Sequence, residues 1–173
     1  MTQMILCGRG GQGIVFLTRL LGDIATQKGL NVISSETHGM AVRGGSVNSH
    51  LKIGPFSSPL IRWGQADCLV SLDSSETLNN EHFLKQGGIV FENSSASSES
   101  GLYRVDASNM ARSIGGIQLE NVILLGFSIF LSNFEISLDD IRQQLAEGSR
   151  YRTREQNLAA LEAGVRVAEA LME

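Results

Sequence analysis

Cysteine occurs at just two positions, Cys7 and Cys68, so the chain is short of the four thiolates of an iron–sulfur cluster and has no Cys-x-x-Cys zinc site. Both cysteines lie within apolar runs, the usual setting of a buried structural thiol. Proline is equally scarce, and Pro55 and Pro59 fence a single loop. There is no excess of basic charge: the net charge is −4, which argues against nucleic acid as a partner, because phosphate binding normally shows as a basic surface. The most apolar stretch, residues 122–131, is broken by Gly126 and Ser128 and is too short to span a bilayer. No charged-then-apolar signal opens the sequence, and a cytoplasmic location without membrane contact is expected. Gly-x-Ser-x-Gly and His-Glu-x-x-His are missing, which removes the common hydrolase classes. His50 and His82 have no Cys, Asp or Glu at metal-ligand spacing and are read as surface or strand residues.

What is present alternates short apolar runs with helical periodicity. The length of 173 residues suits one domain, residues 1–173, with a core that needs neither disulfide nor metal. Residues 4–7 read as a buried strand. Ile14, Leu17, Leu21 and Ile24 then recur at helical spacing up to a stop at Lys28-Gly29, and residues 31–34 give a second strand, a βαβ unit. Val47, Ser49, Leu51 and Ile53 alternate with Asn48, His50 and Lys52, which predicts a strand with one wetter face. Residues 67–72 and 89–91 read as further buried strands. Between them a helix is expected, capped by Ser74 or Ser75 and running to about Leu84 before Gly87-Gly88. Residues 93–101 read as an exposed loop and 102–105 as a late strand. Residues 121–131, 138–147 and 153–171 read as helices, the second announced by Ser137-x-x-Asp140, the third carrying an apolar face of Leu158, Leu161, Val165, Ala168 and Leu171. The expected fold is α/β, a Rossmann-like, mainly parallel sheet flanked by helices, with a carboxy-terminal helical segment.

Chemistry concentrates in two loops. Gly8-x-Gly10-x-x-Gly13, with Gly11 and Gln12 inside it, falls between the first strand and helix, where glycines permit a tight turn and close backbone approach and the helix turns free N–H groups toward an anion. Glu36 follows at the end of the second strand, where a dinucleotide enzyme keeps a ribose-binding acid. Directly after it come His38, Gly39, Arg43, Gly44 and Gly45. A guanidinium beside paired glycines suits bidentate contact to a phosphate or carboxylate, and an internal salt bridge to Glu36 is the competing use. His38 reads as a loop histidine, hydrogen-bonded within the loop or donating to a ligand. Arg9 and Gln12 read either as ligand-facing polar groups or as solvent-exposed ones. Trp63 is expected to be partly buried in its own domain, with a subunit-interface anchor as the alternative. Arg150, Arg152 and Arg154 form a local basic cluster read as a solvated turn.

Taken in order, Gly-x-Gly-Gly-Gln-Gly at residues 8–13, Glu-Thr-His-Gly-Met-Ala-x-Arg-Gly-Gly-Ser at 36–46, and Ser58-Pro59-Leu60-Ile61 with Gly64-Gln-Ala-Asp67 resemble the gamma subunit or domain of 2-oxoacid:ferredoxin oxidoreductases. The resemblance continues through Leu72-Asp73-x-x-Glu76, Asn121-Val-Ile-Leu-Leu-Gly126 and Glu155-x-Asn157-x-x-Ala160-x-x-x-Gly164. The Glu-Thr-His-Gly-Met form is nearer the indolepyruvate type than the pyruvate or oxoglutarate types. It implies a subunit of a complex that decarboxylates a 2-oxoacid on thiamine diphosphate, passes electrons through iron–sulfur clusters to ferredoxin and releases an acyl-CoA. Partners would then be thiamine-diphosphate-binding and ferredoxin-like subunits, with a homodimer left open, and the ligand- or interface-binding residues would be those of the two loops. No cofactor is assigned to this chain alone: Gly22-Asp23-Ile24 falls inside a helical pattern, and Asn79-Asn80 is too distant for a thiamine motif. The residues alone leave two other readings open, a free-standing NAD(P)-dependent dehydrogenase and a non-enzymatic nucleotide-binding or assembly module.

Overall fold

The structure, a computed structural model, describes residues 1–38, 44–148 and 151–173, and the side chains of all of these except His38, Tyr151 and Arg152. Six strands, β1 (Thr2–Arg9), β2 (Val32–His38), β3 (Ser46–Ile53), β4 (Ala66–Ser71), β5 (Leu84–Asn93) and β6 (Leu102–Val105), form one sheet in the order β2-β3-β1-β4-β5-β6. The β1–β4, β4–β5 and β5–β6 ladders are parallel, whereas β3 runs antiparallel to both of its neighbours. The mainly parallel α/β sheet is therefore as expected, with one correction. β2 does follow α1 (Ile14–Gln27) as a parallel crossover strand, but β3 separates it from β1, so the simple βαβ pairing read from the sequence does not form.

Central strand β1 is covered on both faces, which accounts for its unbroken apolar run. On one face α1 buries Ile14, Leu17, Leu21 and Ile24 as its periodicity predicts. It ends in a Schellman arrangement, with the Leu30 N–H donating to the Ala25 carbonyl and the Gly29 N–H to that of Thr26. Helix α4 (Glu120–Phe130) lies between the sheet and α6 (Tyr151–Ala170) and is buried on all sides from Glu120 to Ile129. Its Gly126 meets the Leu161 carbonyl of α6, and Gly164 of α6 meets the Ile123 carbonyl of α4, so the two backbones touch. Leu161, Val165 and Ala168 are buried as expected, whereas Leu171 is exposed. Helix α5 (Leu138–Gly148) opens with the expected capping box, Ser137 Oγ accepting from the Asp140 N–H and Asp140 Oδ2 accepting from the Ser137 N–H at 2.8 Å.

The opposite face carries a smaller core of Ile5, Cys7, Ile61, Leu69 and Val90. Here several expectations fail. Helix α2 (Ser74–Asn80) is capped by Asp73 rather than by a serine, and it stops well short of Leu84. A one-turn helix, Glu81–Phe83, follows, and β5 begins at Leu84, with Gly87 and Gly88 inside the strand where its register against β4 breaks. Glycine here relaxes the ladder instead of stopping a helix. The supposedly wetter face of β3 is dry: His50 and Lys52 are buried beneath residues 54–65, and His50 Nδ1 accepts the Ile61 N–H at 3.1 Å. Trp63 is 75% exposed, against the expectation of partial burial. Helix α3 (Ala107–Ile114), capped by Asp106, has no counterpart in the sequence reading.

Candidate functional site

Parallel strands deliver their following loops to one edge of a sheet, and that carboxyl edge is where α/β folds assemble sites. Here residues 10–13 follow β1, Leu72 and Asp73 follow β4, and Asp106 follows β6. Because β3 is reversed, its entry, Gly44-Gly45, reaches the same edge. The Gly10 N–H donates to the Gly45 carbonyl at 2.8 Å, joining the two glycine-rich loops. A side chain on Gly10 would press on Gly44, whose backbone nitrogen lies 3.3 Å from the position of a Cβ. Gly13 caps α1 at φ 82, and a Cβ there would lie 2.2 Å from Asn121 Nδ2, so only glycine fits this helix start.

A cleft of about 310 Å³ opens at this junction between Arg9, Gly10, Gly11, Gly13, Val15 and Val47. Helix α1 has no side-chain cap, and its first-turn amides lack intrahelical acceptors, which gives the cleft a positive end. Arg9 does not project into it as a free cation. Its Nε donates to Asp73 Oδ2 at 3.0 Å and a terminal nitrogen to Ser75 Oγ at 2.8 Å. Burial would raise the Asp73 carboxyl, but hydrogen bonds from Ser75 and Arg9 outweigh it and hold the group below its ordinary value.

Gln12 turns inward. Its Oε1 accepts the Arg9 N–H at 2.7 Å, while its Nε2 donates to the Leu72 carbonyl at 3.1 Å and to Glu120 Oε1 at 3.0 Å. Glu120 is buried, and its other oxygen accepts from Ser108 Oγ at 2.6 Å. Asn93 completes this network through Leu72 and Ser108. Beneath the β3 entry, Ser46 Oγ donates to buried Glu76 at 2.5 Å and Asn48 Nδ2 to Asn80 Oδ1 at 3.0 Å. Sequence reasoning did not pick out Glu120, Asn93 or Ser108 as site residues, since a lone polar residue at an element end carries no periodic signal. Asp73 and Glu76 do stand in a motif of the family resemblance.

Gly8, Gly10, Gly11, Gln12, Gly13, Gly44 and Gly45 thus gather at one edge. Glu36 lies on β2, separated from β1 by β3. It pairs with Ser49 of β3, which in turn pairs with Leu6 of β1, so it stands two strands away, about 9–10 Å across the sheet, and level with the middle of β1. His38 ends β2 opposite Val47; its side chain, like Gly39, Met40 and Arg43, lies outside the described residues, as do Arg150 and the Arg152 side chain.

Burial pushes the Cys7 thiol up to about 12 and the Cys68 thiol higher still. No cluster of three metal-ligating side chains occurs among the described residues, and no helix among them is long and apolar enough to cross a membrane.

Residues 3–167 match the pyruvate ferredoxin/flavodoxin oxidoreductase family. The chain is 29% identical over 185 aligned positions to indolepyruvate oxidoreductase subunit IorB of Archaeoglobus fulgidus, covering 93% of this chain and 92% of that one. The gamma subunit of a keto/oxoacid ferredoxin oxidoreductase from Geobacter sulfurreducens shares the fold at a TM-score of 0.79 and 22% identity, over 98% of this chain and 99% of the other. A 2-oxoglutarate:ferredoxin oxidoreductase from Magnetococcus marinus, solved with 2-oxoglutarate, coenzyme A and succinyl-CoA bound, superposes at a TM-score of 0.78 and 19% identity. That match takes in 98% of this chain and 31% of the other. With the match spanning almost the whole chain and the glycine-rich edge assembled as described, this chain belongs to the pyruvate ferredoxin/flavodoxin oxidoreductase family.

Proposed function

We propose that this chain completes a 2-oxoacid:ferredoxin oxidoreductase of the indolepyruvate type, in which partner subunits carry thiamine diphosphate and the iron–sulfur clusters, and that its glycine-rich edge faces those partners and coenzyme A. The observation that carries this reading is the joining of the two glycine loops through Gly10 and Gly45 beside the uncapped start of α1. Such an edge offers backbone donors to an anion and leaves the difficult chemistry elsewhere. The burial of both thiols suits an accessory role. For coenzyme A, the first-turn amides of α1 would hold a phosphate, with Arg43 as the second contact. The position of Glu36 on β2, with β3 between it and the glycine-bearing β1, favours this reading over a nicotinamide enzyme.

The test has two parts. Alone, the chain should be colourless and inactive on pyruvate, oxoglutarate and indolepyruvate with an artificial electron acceptor, and tagged protein from its native cell should retain a thiamine-diphosphate subunit under mild, low-oxygen lysis. In the assembled complex, Arg43→Ala should weaken coenzyme A binding about 10- to 100-fold, the range of a charged hydrogen bond, and Gly10→Val should block approach to the loop. Robust turnover by the lone chain overturns the subunit reading. Unchanged coenzyme A affinity in both variants overturns the binding assignment but leaves the subunit reading intact.

A further inference from the structure

The far end of the sheet carries a second cleft, unrelated to the glycine loops. It has a volume of about 440 Å³ and lies between Gln3, Lys52 and residues 56–65, within the range of small-molecule sites. Lys52 sits one residue from the end of β3, beside Gln3 of β1. It is 6% exposed, and its ammonium reaches the cleft with no carboxylate or hydrogen-bond acceptor among the described residues. Its contact there is the Phe56 ring, 5.2 Å from the centroid. Burial, and then the neighbouring positive charge of Arg62, lower its pKa. Arg62 lines the same cleft. The carboxylate next along the chain, Asp67, is already committed to Lys85 and to the Gln3 N–H.

A lysine serving only to cover apolar surface keeps its head in water and away from other cations. Lys52 instead buries nearly all of its stem, brings its ammonium to the cleft and sits beside a second cation. The remaining wall mixes the apolar Phe56, Leu60 and Trp63 with Gln3, Ser57, Ser58 and Gln65, and its aromatic part is held in place. Trp63 occupies the second position of a tight turn in which the Gln65 N–H donates to the Arg62 carbonyl at 3.2 Å and Gly64 adopts φ 70, the type II pattern. The turn is pinned to the helical turn before β5, the Gly64 N–H donating to the His82 carbonyl and the Gln65 N–H to that of Phe83. The indole rests edge-on against His82 with ring centroids 5.1 Å apart. The chain's single tryptophan is thus presented to solvent by a braced backbone.

We propose that this cleft binds a small organic oxyanion, a carboxylate or phosphate carried on an aromatic or apolar body, with Lys52 and Arg62 holding the oxygens and Phe56 and Trp63 covering the body. An anion placed between the two cations relieves their repulsion and gives the Lys52 ammonium the partner it lacks. The site lies at the amino end of β1, opposite the glycine-rich edge, so it stands or falls independently of the coenzyme A reading.

The full chain is titrated with phenylacetate and with phenyl phosphate, following Trp63 fluorescence and heat of binding, with benzylamine as the cationic control. Saturable binding of either anion supports the site, and the preferred probe tells carboxylate from phosphate. Lys52→Gln should weaken binding about 10- to 100-fold. Arg62→Gln changes an exposed side chain that does not support the fold, and it should weaken binding by about fivefold; it serves alone if the Lys52 variant does not fold. No saturable signal with either anion at millimolar concentration overturns the proposal. So does equal binding of benzylamine, or affinity unchanged in Arg62→Gln.

Discussion

Replacing Gly164 by Ala tests how tightly α4 and α6 are joined. The new methyl carbon would lie 2.0 Å from the Ile123 carbonyl oxygen and 2.9 Å from the Phe127 nitrogen, both backbone atoms of α4 that no rotamer change can move. Carbon–oxygen contacts between elements settle at about 3.3–3.6 Å, so α6 must retreat by more than about 1 Å along a face that holds Leu161, Val165 and Ala168 in the core. Overpacking of this kind costs about 1–3 kcal/mol and occasionally more, while Ala returns up to about 1 kcal/mol of helix propensity. Because the clash falls on rigid backbone, the overpacking side dominates, and we expect a net loss of about 2 kcal/mol, or a Tm lowered by about 4–8 °C for a chain of this size. Gly22 in α1 is the internal control: nothing lies within 4 Å of its added Cβ, so Gly22→Ala should stabilise by about 0.5–1 kcal/mol. Thermal unfolding by circular dichroism measures both. The reasoning fails if Gly164→Ala melts with the wild type, or if the two substitutions shift the Tm in the same direction.

Gln12→Ala should cost about 1–3 kcal/mol in denaturant unfolding, because it strips a donor from buried Glu120 and from the Leu72 carbonyl; a loss below about 0.5 kcal/mol would show that the network is not held from the loop. The Lys28 ammonium at 2.5 Å and the Ser137 N–H lower the Asp140 carboxyl to about 2. A depressed carboxylate contributes above its unfolded pKa, so its stabilisation should be complete above about pH 4 and vanish toward pH 2. Asp140→Ala should therefore be less stable by about 1 kcal/mol at pH 7, discounted for partial exposure, and match the wild type near pH 2; a deficit that persists at pH 2 would contradict this. Cys7 and Cys68 should resist iodoacetamide at pH 8 in the native chain, and both should label in denaturant; rapid native labelling counted by mass spectrometry would refute their burial.

The mainly parallel sheet was legible because buried strands such as β1 and β4 carry unbroken apolar runs at their centres, and the flanking helices because their caps and periodicity coincide, as at Ser137 and Asp140. Family motifs that are weak as strings, Gly126 and Gly164 among them, turn out to mark the point where two helices touch. Strand order was not legible. Nothing local in residues 46–53 distinguishes a strand that inserts between β1 and β2 from one that joins an edge, and that single insertion displaces Glu36. The length of α2 was misread because Gly87-Gly88 suits a helix stop as well as a strand irregularity, and tertiary pairing with β4 decided between them. Around the glycine loop, backbone positions followed from the sequence, whereas the direction of Gln12 and Arg9 depended on Glu120 and Asp73, more than sixty residues away.

The inserted strand also guards its own alignment. On β3, Leu51 and Ile53 enter the core shared with α1, while His50 and Lys52 face the loop side. A slip of one residue against β1 would exchange the two sets. It would drive an ammonium and an imidazole under α1 and turn Leu51 toward the cleft lined by Arg62. An all-aliphatic strand would tolerate either alignment, whereas this one penalises the wrong choice on both faces at once. The buried Lys52 that makes the far cleft chemically unusual is therefore also the residue through which the chain rejects a misaligned sheet.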